Sequence, residues 1–299
     1  MNKRKLILKF FQKTDQLKTS RQVYRETVIS LFNWLTANDE IKTDITSQLL
    51  KLHSKKMAKI ISHETATVAG LEEISYLIKR FTKLSLKTSV KDGNYVKTNQ
   101  IVAQIQGPAK EILAYERTII NFLQRMSGIA TQTNLLVNQI LSPIYLAATR
   151  KTPWGSLDKK AVAVGGGLTH RLSLKDGILI KDSHLKLTST PQALKIILPQ
   201  INHQLVEVEV KNEAEALQAL NTFNQLNQKN YLAIMFDNFS APAIKKTVVQ
   251  LNNQSVIYEA SGGINETNLL SFAKTGVDII SLGALTHSSR ATNLSLEII

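Results

Sequence analysis

Residues 205–237 read LVEVEVKNEAEALQALNTFNQLNQKNYLAIMFD, and their pattern indicates how the chain folds. The two ends of this stretch, LVEVEV (205–210) and YLAIMF (231–236), are short apolar runs of the kind that form buried strands. Between them, the pattern over residues 214–220 is that of a helix. Because parallel strands need a crossover of this kind, the stretch predicts one unit of a parallel sheet.

The same alternation continues on both sides of this stretch. Further apolar runs occur at IYLAAT (144–149), GILI (177–180), SVIYEA (255–260) and VDIISL (277–282), with helical patterns at 192–198 and 242–249. A charged residue, a serine or a glycine stands at or just past the end of each of the six runs: Arg150, Lys181, Glu209, Asp237, Ser261 and Gly283. A doubly wound sheet would use only the strands beside its switch point, whereas a barrel collects functional groups from successive strands. The sequence therefore predicts an α/β fold with a six-stranded β/α barrel.

The first part of the chain has a different pattern. Helical patterns cover Val23–Leu35 and Leu71–Leu84, and the β-like run QIVAQI follows the turn KDGN. A long helix with an apolar stripe is predicted after Pro108. We place one domain at residues 1–112, with an extension at 1–20, and the barrel domain at 113–299, whose tail is expected to pack on the first domain.

Composition limits the classes of function. The chain has 299 residues, 43% of them hydrophobic, and no cysteine, which excludes disulfides and thiolate metal sites. The apolar run LILKFF (6–11) is interrupted by Lys9 and is too short for a signal peptide, so a cytoplasmic location is expected. A formal charge of +14 leaves a nucleic-acid partner open, since clustered Lys and Arg displace counterions from phosphates.

Basic residues are concentrated near three glycines. The segments TRKT (149–152), GGGLTHR (165–171) and LIKDSH (179–184) contain Arg150, Lys151, His170, Arg171 and Lys181. A solvated strand end would account for an isolated basic pair. A cluster of five, with Lys181 at the end of an apolar strand, instead predicts a pocket for a ligand with several negative charges.

Carboxylates and glycines near the basic cluster suggest sites for a metal ion and for phosphate. Glu207 and Glu209 alternate with valines and so share one strand face, where Glu207 is interpreted as structural. Glu209 and Asp237 predict a magnesium (Mg²⁺) site, with an ion-pair network to the basic cluster as the alternative. The glycines of SGG (261–263), before a helix expected near Asn265, and Gly283 predict phosphate-binding loops.

These motifs resemble the quinolinate phosphoribosyltransferase family, the carboxylating nicotinate-nucleotide pyrophosphorylases. The matching segments, in family order, are ERTIINFLQRMSGIAT (116–131), TRKT (149–152), VGGGLTHR (164–171), LIKDSH (179–184), EVEV (207–210), FDN (236–238), EASGGI (259–264) and SLGALTH (281–287). The resemblance is dense over residues 107–290 and thinner before them. It implies an α/β sandwich domain followed by an incomplete barrel. One departure is RKTPWGSLD (150–158), where Trp154 stands in a turn that the family usually writes RKTTPGLR.

The resemblance also implies a reaction. Quinolinate would receive the phosphoribosyl group of phosphoribosyl pyrophosphate and lose carbon dioxide, giving nicotinate mononucleotide in de novo NAD biosynthesis. The residues implied are Arg117, Arg150, His170, Arg171 and Lys181 for quinolinate, Lys151, Ser261, Gly262, Gly263, Gly283 and His287 for phosphoribosyl pyrophosphate, Glu209 and Asp237 for magnesium, and Lys151, Glu209 and Asp237 for catalysis. A homodimer or higher oligomer is implied, with Arg117 contributed by the neighbouring subunit.

Two other classes of function stay open from the sequence. A sister transferase acting on a different acid would share TRKT and GGG, although the HR and LIKDSH segments together with EVEV favour quinolinate. A nucleic-acid binder is suggested by charge alone. Because aromatic residues make up only 6% of the chain and do not alternate with basic ones, we expect no nucleic-acid partner, and we expect no membrane partner.

Overall fold

The computed structural model describes residues 2–140, 143–226 and 229–299. Its helices are α1 Lys3–Phe11, α2 Gln22–Asn38, α3 Ile45–Leu49, α4 Leu71–Phe81, α5 Ala109–Gln139, α6 Ser156–Val164, α7 Asp182–Leu185, α8 Thr190–Ile197, α9 Glu213–Gln225, α10 Ala241–Leu251, α11 Leu269–Phe272 and α12 Ala284–His287. Its strands are β1 Lys55–Ser62, β2 Ala66–Thr67, β3 Ser85–Thr88, β4 Tyr95–Val96, β5 Gln100–Pro108, β6 Tyr145–Ala148, β7 Ile178–Ile180, β8 Leu205–Val210, β9 Tyr231–Asp237, β10 Ile257–Ser261, β11 Ile279–Leu282 and β12 Leu294–Ile298. Among these described helices, none is both long and apolar enough to cross a membrane.

The chain forms two compact units, and each is discontinuous in sequence. The barrel unit comprises residues 1–13, 136–151 and 167–284, and the sandwich unit comprises 14–135, 152–166 and 285–299. The predicted boundary after residue 112 falls inside α5 and stays a prediction.

The barrel unit is built on six parallel strands in the order β6-β11-β10-β9-β8-β7. Strands β7 to β11 are neighbours in chain order, and β6 pairs with β11 at the other side. A parallel bridge between Ala147 and Leu168 extends the β6 edge. The predicted incomplete six-stranded barrel is confirmed, as are all six predicted strands and the three helices predicted between them.

The interior of the barrel changes in character along its axis. An apolar cluster contains Leu205, Ile257 and Ile279 at the amino-terminal ends of their strands, with Ala147 and Ala233 packed against them. Helix α1 packs on this cluster through Leu6, Ile7 and Phe11, which are almost completely buried. The extension predicted at the start of the chain therefore contains the helix that closes this end of the barrel.

The sandwich unit contains an antiparallel sheet in the order β12-β1-β5-β3. Helix α4 buries Leu71, Ile74 and Leu77, and the carboxylate of Asp92 accepts the Leu71 and Glu72 N–H groups at its first turn. The C-terminal strand β12 is the edge strand beside β1. The predicted helices near Val23 and Leu71, the strand at QIVAQI and the long helix after Pro108 are confirmed.

Candidate active site

The carboxyl ends of the six parallel strands bring the predicted residues to one edge of the sheet, which we call the mouth. Asp237 and Ser261 are the last residues of β9 and β10 and pair in register. Glu209 lies near the end of β8, while Lys181 and Gly283 directly follow β7 and β11. Because all six strands run in the same direction, their carboxyl ends, and therefore these groups, lie at the same edge of the sheet.

Arg171 provides the most buried positive charge of the predicted set, with 7% of the residue exposed. Burial lowers the pKa of Arg171, and the positive charge of Arg150 lowers it further, while Glu207, Asp176 and Glu209 act in the opposite direction. Two guanidinium groups that repel each other favour an anion at the same place. The pair Arg150 and Arg171 is thus suited to a carboxylate ligand.

The loop after Arg171 is held by Asp176. Its carboxylate accepts the N–H groups of Leu172 at 3.0 Å and Ser173 at 2.7 Å, and the Ser173 hydroxyl at 3.0 Å. These bonds close a tight turn immediately beyond the guanidinium-bearing residue. The position of Arg171 is therefore determined by its own loop as well as by the barrel.

His170 lies inside the barrel, and both of its ring nitrogens face protein groups. Nδ1 accepts the N–H of Arg171 at 2.8 Å, and Nε2 lies 3.3 Å from Glu259 and 3.5 Å from Glu207. Burial lowers the pKa of His170, but the two carboxylates outweigh it and raise this pKa to about 9. The Arg171 N–H that points at Nδ1 requires a lone pair on that nitrogen, so this contact opposes the doubly protonated ring that the two carboxylates favour. With Nδ1 as the acceptor, the ring proton lies on Nε2 and faces the carboxylates.

The two buried glutamates have opposite pKa shifts. Burial, and then the charge of Glu259, raises the pKa of Glu207 to about 7. Burial also acts to raise the pKa of Glu259, but His170 outweighs it and lowers this pKa below its ordinary value. Glu259 is therefore the carboxylate that stays ionised beside His170.

The predicted metal carboxylates lie on adjacent strands. Burial raises the pKa of Glu209, and the nearby charges of Asp237 and Asp182 raise it further, whereas Lys181 lowers it. One oxygen of Asp237 accepts the side-chain N–H of Asn238 at 2.9 Å. Two carboxylates that repel each other at a half-buried position form a hard oxygen donor set, which fits Mg²⁺.

The glycines after β10 adopt a backbone that other residues avoid. Gly262 has a φ of +88°, and a Cβ atom there would lie 2.4 Å from the side-chain oxygen of Asn238. Gly263 has a φ of +63°, and its Cβ position has no atom within 4 Å. The helix expected near Asn265 begins instead at Leu269, because Asn265 and Thr267 form a turn in which the Asn265 side chain accepts the Thr267 N–H.

Three further predicted residues are exposed. Lys151 follows Arg150 at the end of the barrel-unit segment. Arg117 on α5 and His287 at the end of α12 belong to the sandwich unit, where Nδ1 of His287 lies 2.5 Å from the Ser288 hydroxyl.

Sequence reasoning missed the buried partners. Glu259 lies two residues before Ser261 on the same strand face, so the alternation that grouped Glu207 with Glu209 could have identified it. It also missed the setting of Trp154, whose ring packs on Phe122 and under the guanidinium of Arg125. No sequence pattern links Phe11 to His170, although their rings meet edge to face at 4.8 Å.

Comparison with known proteins agrees with this architecture. The family models for the quinolinate phosphoribosyl transferase N-terminal and C-terminal domains match residues 44–127 and 129–297. A probable carboxylating nicotinate-nucleotide pyrophosphorylase of Methanothermobacter thermautotrophicus is 34% identical over 267 residues, which cover 85% of this chain and 93% of that protein. A decarboxylating quinolinate phosphoribosyltransferase of Nicotiana tabacum is 36% identical, with 81% and 73% of the two chains covered.

A solved structure extends the likeness to three dimensions. The nicotinate-nucleotide pyrophosphorylase of Francisella tularensis superposes with a TM-score of 0.80 at 35% identity, and the match covers 92% of this chain and 96% of that chain. The family models for both domains and the structural match over 92% of the chain agree. The chain belongs to the quinolinate phosphoribosyltransferase family.

Proposed function

We propose that this protein transfers the phosphoribosyl group of phosphoribosyl pyrophosphate to the ring nitrogen of quinolinate and releases one carboxylate as carbon dioxide. The products are nicotinate mononucleotide, carbon dioxide and pyrophosphate, which places the reaction in de novo NAD biosynthesis. The observation that carries the proposal is the barrel mouth, where Arg150, Arg171 and Lys181 supply cations and Glu209 and Asp237 supply carboxylates. The names of the relatives support the same chemistry.

The cations suit a ring with two adjacent carboxylates. Arg150 and Arg171 can each hold a carboxylate through two parallel N–H bonds, and Lys181 adds a compact charge. His170 forms part of the same wall, and Arg117 is assigned to this pocket by the family resemblance. Fixing both carboxylates aims the ring nitrogen at the anomeric carbon of the sugar, so the main contribution of these residues is orientation.

The second substrate is assigned to the loops at the other strand ends. Lys151, Ser261, Gly262, Gly263, Gly283 and His287 would contact the phosphoribosyl pyrophosphate. The open space beside Gly263 supports a close approach of phosphate oxygens to the main chain. Glu209 and Asp237 would hold a magnesium ion, which when bound neutralises charge on the leaving pyrophosphate.

The transfer and the decarboxylation need no external reductant or oxidant. The ring nitrogen bonds to the anomeric carbon as the bond to pyrophosphate breaks. Positive charge develops on the sugar carbon, where Glu209 and Asp237 provide a fixed negative field, and Lys151 stabilises the departing oxygens. The pyridinium then accepts the electron pair of the broken carbon–carboxylate bond. A proton taken up at that carbon completes nicotinate mononucleotide.

We also propose a cytoplasmic homodimer in which Arg117 enters the site of the neighbouring subunit. The exposed position of Arg117 on α5 supports this role, since a guanidinium there is accessible to another chain.

The direct test is to incubate the purified protein with quinolinate, phosphoribosyl pyrophosphate and magnesium. We expect nicotinate mononucleotide and carbon dioxide in equal amounts, and no product from nicotinate. Arg171→Ala should abolish product, whereas Lys246→Ala, which removes a lysine paired with Glu213 on the outer helices, should not. A folded protein that makes no nucleotide from quinolinate would refute the proposal and favour a transferase for another acid.

A further inference from the structure

A buried polar cluster lies inside the barrel, one layer of inward-facing side chains away from the mouth. Its members are His170, Glu207 and Glu259, of which Glu207 and Glu259 precede Glu209 and Ser261 by two residues on the same strand faces. Nε2 of His170 lies within 3.5 Å of both carboxylates, and it is nearer to Glu259, at 3.3 Å. Nε2 of His170 and both oxygens of Glu259 have no hydrogen-bond partner among the described residues, so charge and burial, rather than hydrogen bonds, orient the three side chains towards one another.

The ring of His170 is tied to the main chain of Arg171 on its other side. The Arg171 N–H donates to Nδ1 at 2.8 Å, and His170 has a φ of +53°. A residue with a Cβ adopts that backbone only where its surroundings hold it. The orientation of the ring and the position of Arg171 are therefore coupled.

The amino-terminal segment also forms hydrogen bonds with the loop that contains His170 and Arg171. The Thr169 hydroxyl accepts the Lys13 N–H at 2.8 Å and donates to the Phe11 carbonyl at 3.1 Å. The Phe11 ring also meets the edge of the His170 ring. A residue that closes the barrel thus also contacts the histidine next to the substrate-binding arginine.

Packing alone does not hold this loop. A cavity of about 380 Å³ borders His170 and Arg171 and extends to Phe11, Ile178 and Leu205. Beside such a cavity, side chains lack close contacts on one side. The polar contacts of His170 and Thr169 therefore have a large share in fixing where Arg171 lies.

We propose that Glu259 and Phe11 are positioning residues for substrate binding: they orient His170, and His170 sets the main chain of Arg171 so that its guanidinium meets a substrate carboxylate. His170 can act through Arg171, since Nδ1 accepts the Arg171 N–H and Nε2 lies within 3.5 Å of both glutamates. The inference rests on the proposed function, because it assumes that Arg171 binds a carboxylate of quinolinate.

The kinetic test compares Glu259→Gln, Glu259→Ala and Phe11→Leu with Met235→Ala. Met235 pairs in register with Glu259 on the same sheet face and is absent from the polar cluster, so it controls for lost packing. We expect Glu259→Ala to raise the KM for quinolinate about tenfold, with the KM for phosphoribosyl pyrophosphate changed less than about twofold. Glu259→Gln should recover much of this loss, because its amide oxygen keeps an acceptor facing Nε2 of His170. Phe11→Leu should give a smaller rise in the same KM.

Equal changes in both KM values, or the same quinolinate-specific change in Met235→Ala at a matched melting temperature, would overturn the proposal. If Glu259→Ala does not fold, the KM values of Glu259→Gln and Phe11→Leu still test the proposal. Elemental analysis of the purified wild type adds a check. About one transition-metal ion per chain, lost on Glu259→Gln, would make the cluster a metal site and also overturn it.

A second readout does not depend on turnover. In protein labelled with ¹⁵N-histidine, and with His170→Gln to assign the signal, we expect an unprotonated Nδ1 and a slowly exchanging Nε2 proton that is lost in Glu259→Ala. A protonated, solvent-exchanging Nδ1 would overturn the proposal. An inactive wild type would instead refute the proposed function, and the ¹⁵N signature would still report whether Glu259 orients His170.

Discussion

Arg125 and Asp158 form a bidentate ion pair within the sandwich unit, with Nε and Nη2 each donating to a different carboxylate oxygen at 2.7 Å. Asp158 is fully buried and also accepts the Thr152 hydroxyl and the Trp154 N–H. Since Arg125 also lies over the Trp154 ring, the pair holds the turn in which this chain departs from the pattern typical of the family. One buried carboxylate thus organises the whole turn.

Asp158→Ala should lower the free energy of unfolding by about 3–5 kcal/mol, because it leaves the Arg125 guanidinium without its partner. Urea unfolding measures this loss. The double variant Arg125→Met, Asp158→Leu should recover a large part of it, since no lone charge is left. Asp15→Asn, which breaks only an exposed ion pair with Lys18, should leave the midpoint unchanged. A single variant as stable as the wild type would contradict this account.

Glu73 should make stability depend on pH. It is buried in α4 and accepts the Tyr24 hydroxyl at 2.6 Å, and burial, followed by the charge of Asp92, raises its pKa from 4.5 to about 7. The folded state therefore holds the proton more tightly than the unfolded state. The stabilisation is complete below pH 4.5 and is lost as the pH rises through 7.

Its size is about 3 kcal/mol for a shift of this extent. The free energy of unfolding should fall between pH 5 and pH 8 in the wild type and fall less in Glu73→Gln, which cannot ionise. Glu26→Gln on the exposed side of α2 is the matched control and should keep the wild-type slope. An identical slope in Glu73→Gln would show that another group is responsible.

Phe11→Ala should destabilise the barrel unit by about 3–5 kcal/mol, because it removes a ring that is 2% exposed from the apolar end of the barrel. The thermal midpoint and urea unfolding both report this. Lys9→Ala on the outer side of the same helix tests whether helix α1 itself tolerates alanine, and it should change stability little. Equal stability of both variants would mean that α1 does not close the barrel in solution.

The two glycines after β10 should respond differently to alanine. Gly262→Ala brings a Cβ within 2.8 Å of the Asn238 main-chain nitrogen, so it should reduce both stability and activity. Gly263→Ala has open space and should cost about 1–2 kcal/mol for its left-handed backbone, while raising the KM for phosphoribosyl pyrophosphate.

Gly276→Ala provides the comparison, because Gly276 has a φ of +90° and precedes β11 at the opposite end of the strand. Gly276→Ala should lower the free energy of unfolding and leave the KM for phosphoribosyl pyrophosphate unchanged. If Gly263→Ala behaves in the same way as Gly276→Ala, the phosphate assignment of this loop is wrong.

Activity should require a divalent cation. Treatment with EDTA should abolish turnover and added Mg²⁺ should restore it, and Glu209→Gln or Asp237→Asn should raise the Mg²⁺ concentration for half-maximal activity by about tenfold or more. Glu213→Gln, which removes a carboxylate of the outer ion pair with Lys246, should leave that concentration unchanged. Full activity after exhaustive chelation would exclude the metal role of the two mouth carboxylates.

Local patterns in the sequence were enough for the framework of the molecule. The run LVEVEV predicted both a strand and the shared face of Glu207 and Glu209, because side chains alternate with a period of two. The position at which each apolar run ends predicted which residues would lie at the mouth. The start of α11 could not be predicted this way, since the turn of Asn265 and Thr267 competes with a helix through side-chain bonds to the main chain.

Local sequence patterns were sufficient to predict the order of the strands along the chain, the polar and apolar faces of each strand, and the set of groups at the carboxyl ends. The contact of Glu259 with His170, and the closure of the barrel by Phe11, depend on how the whole chain folds. The difference arises from how far apart in the chain the interacting residues are. Periodicity reports which way one strand or helix faces, whereas contacts between distant segments depend on how the sheet curves and on which apolar surface remains to be covered.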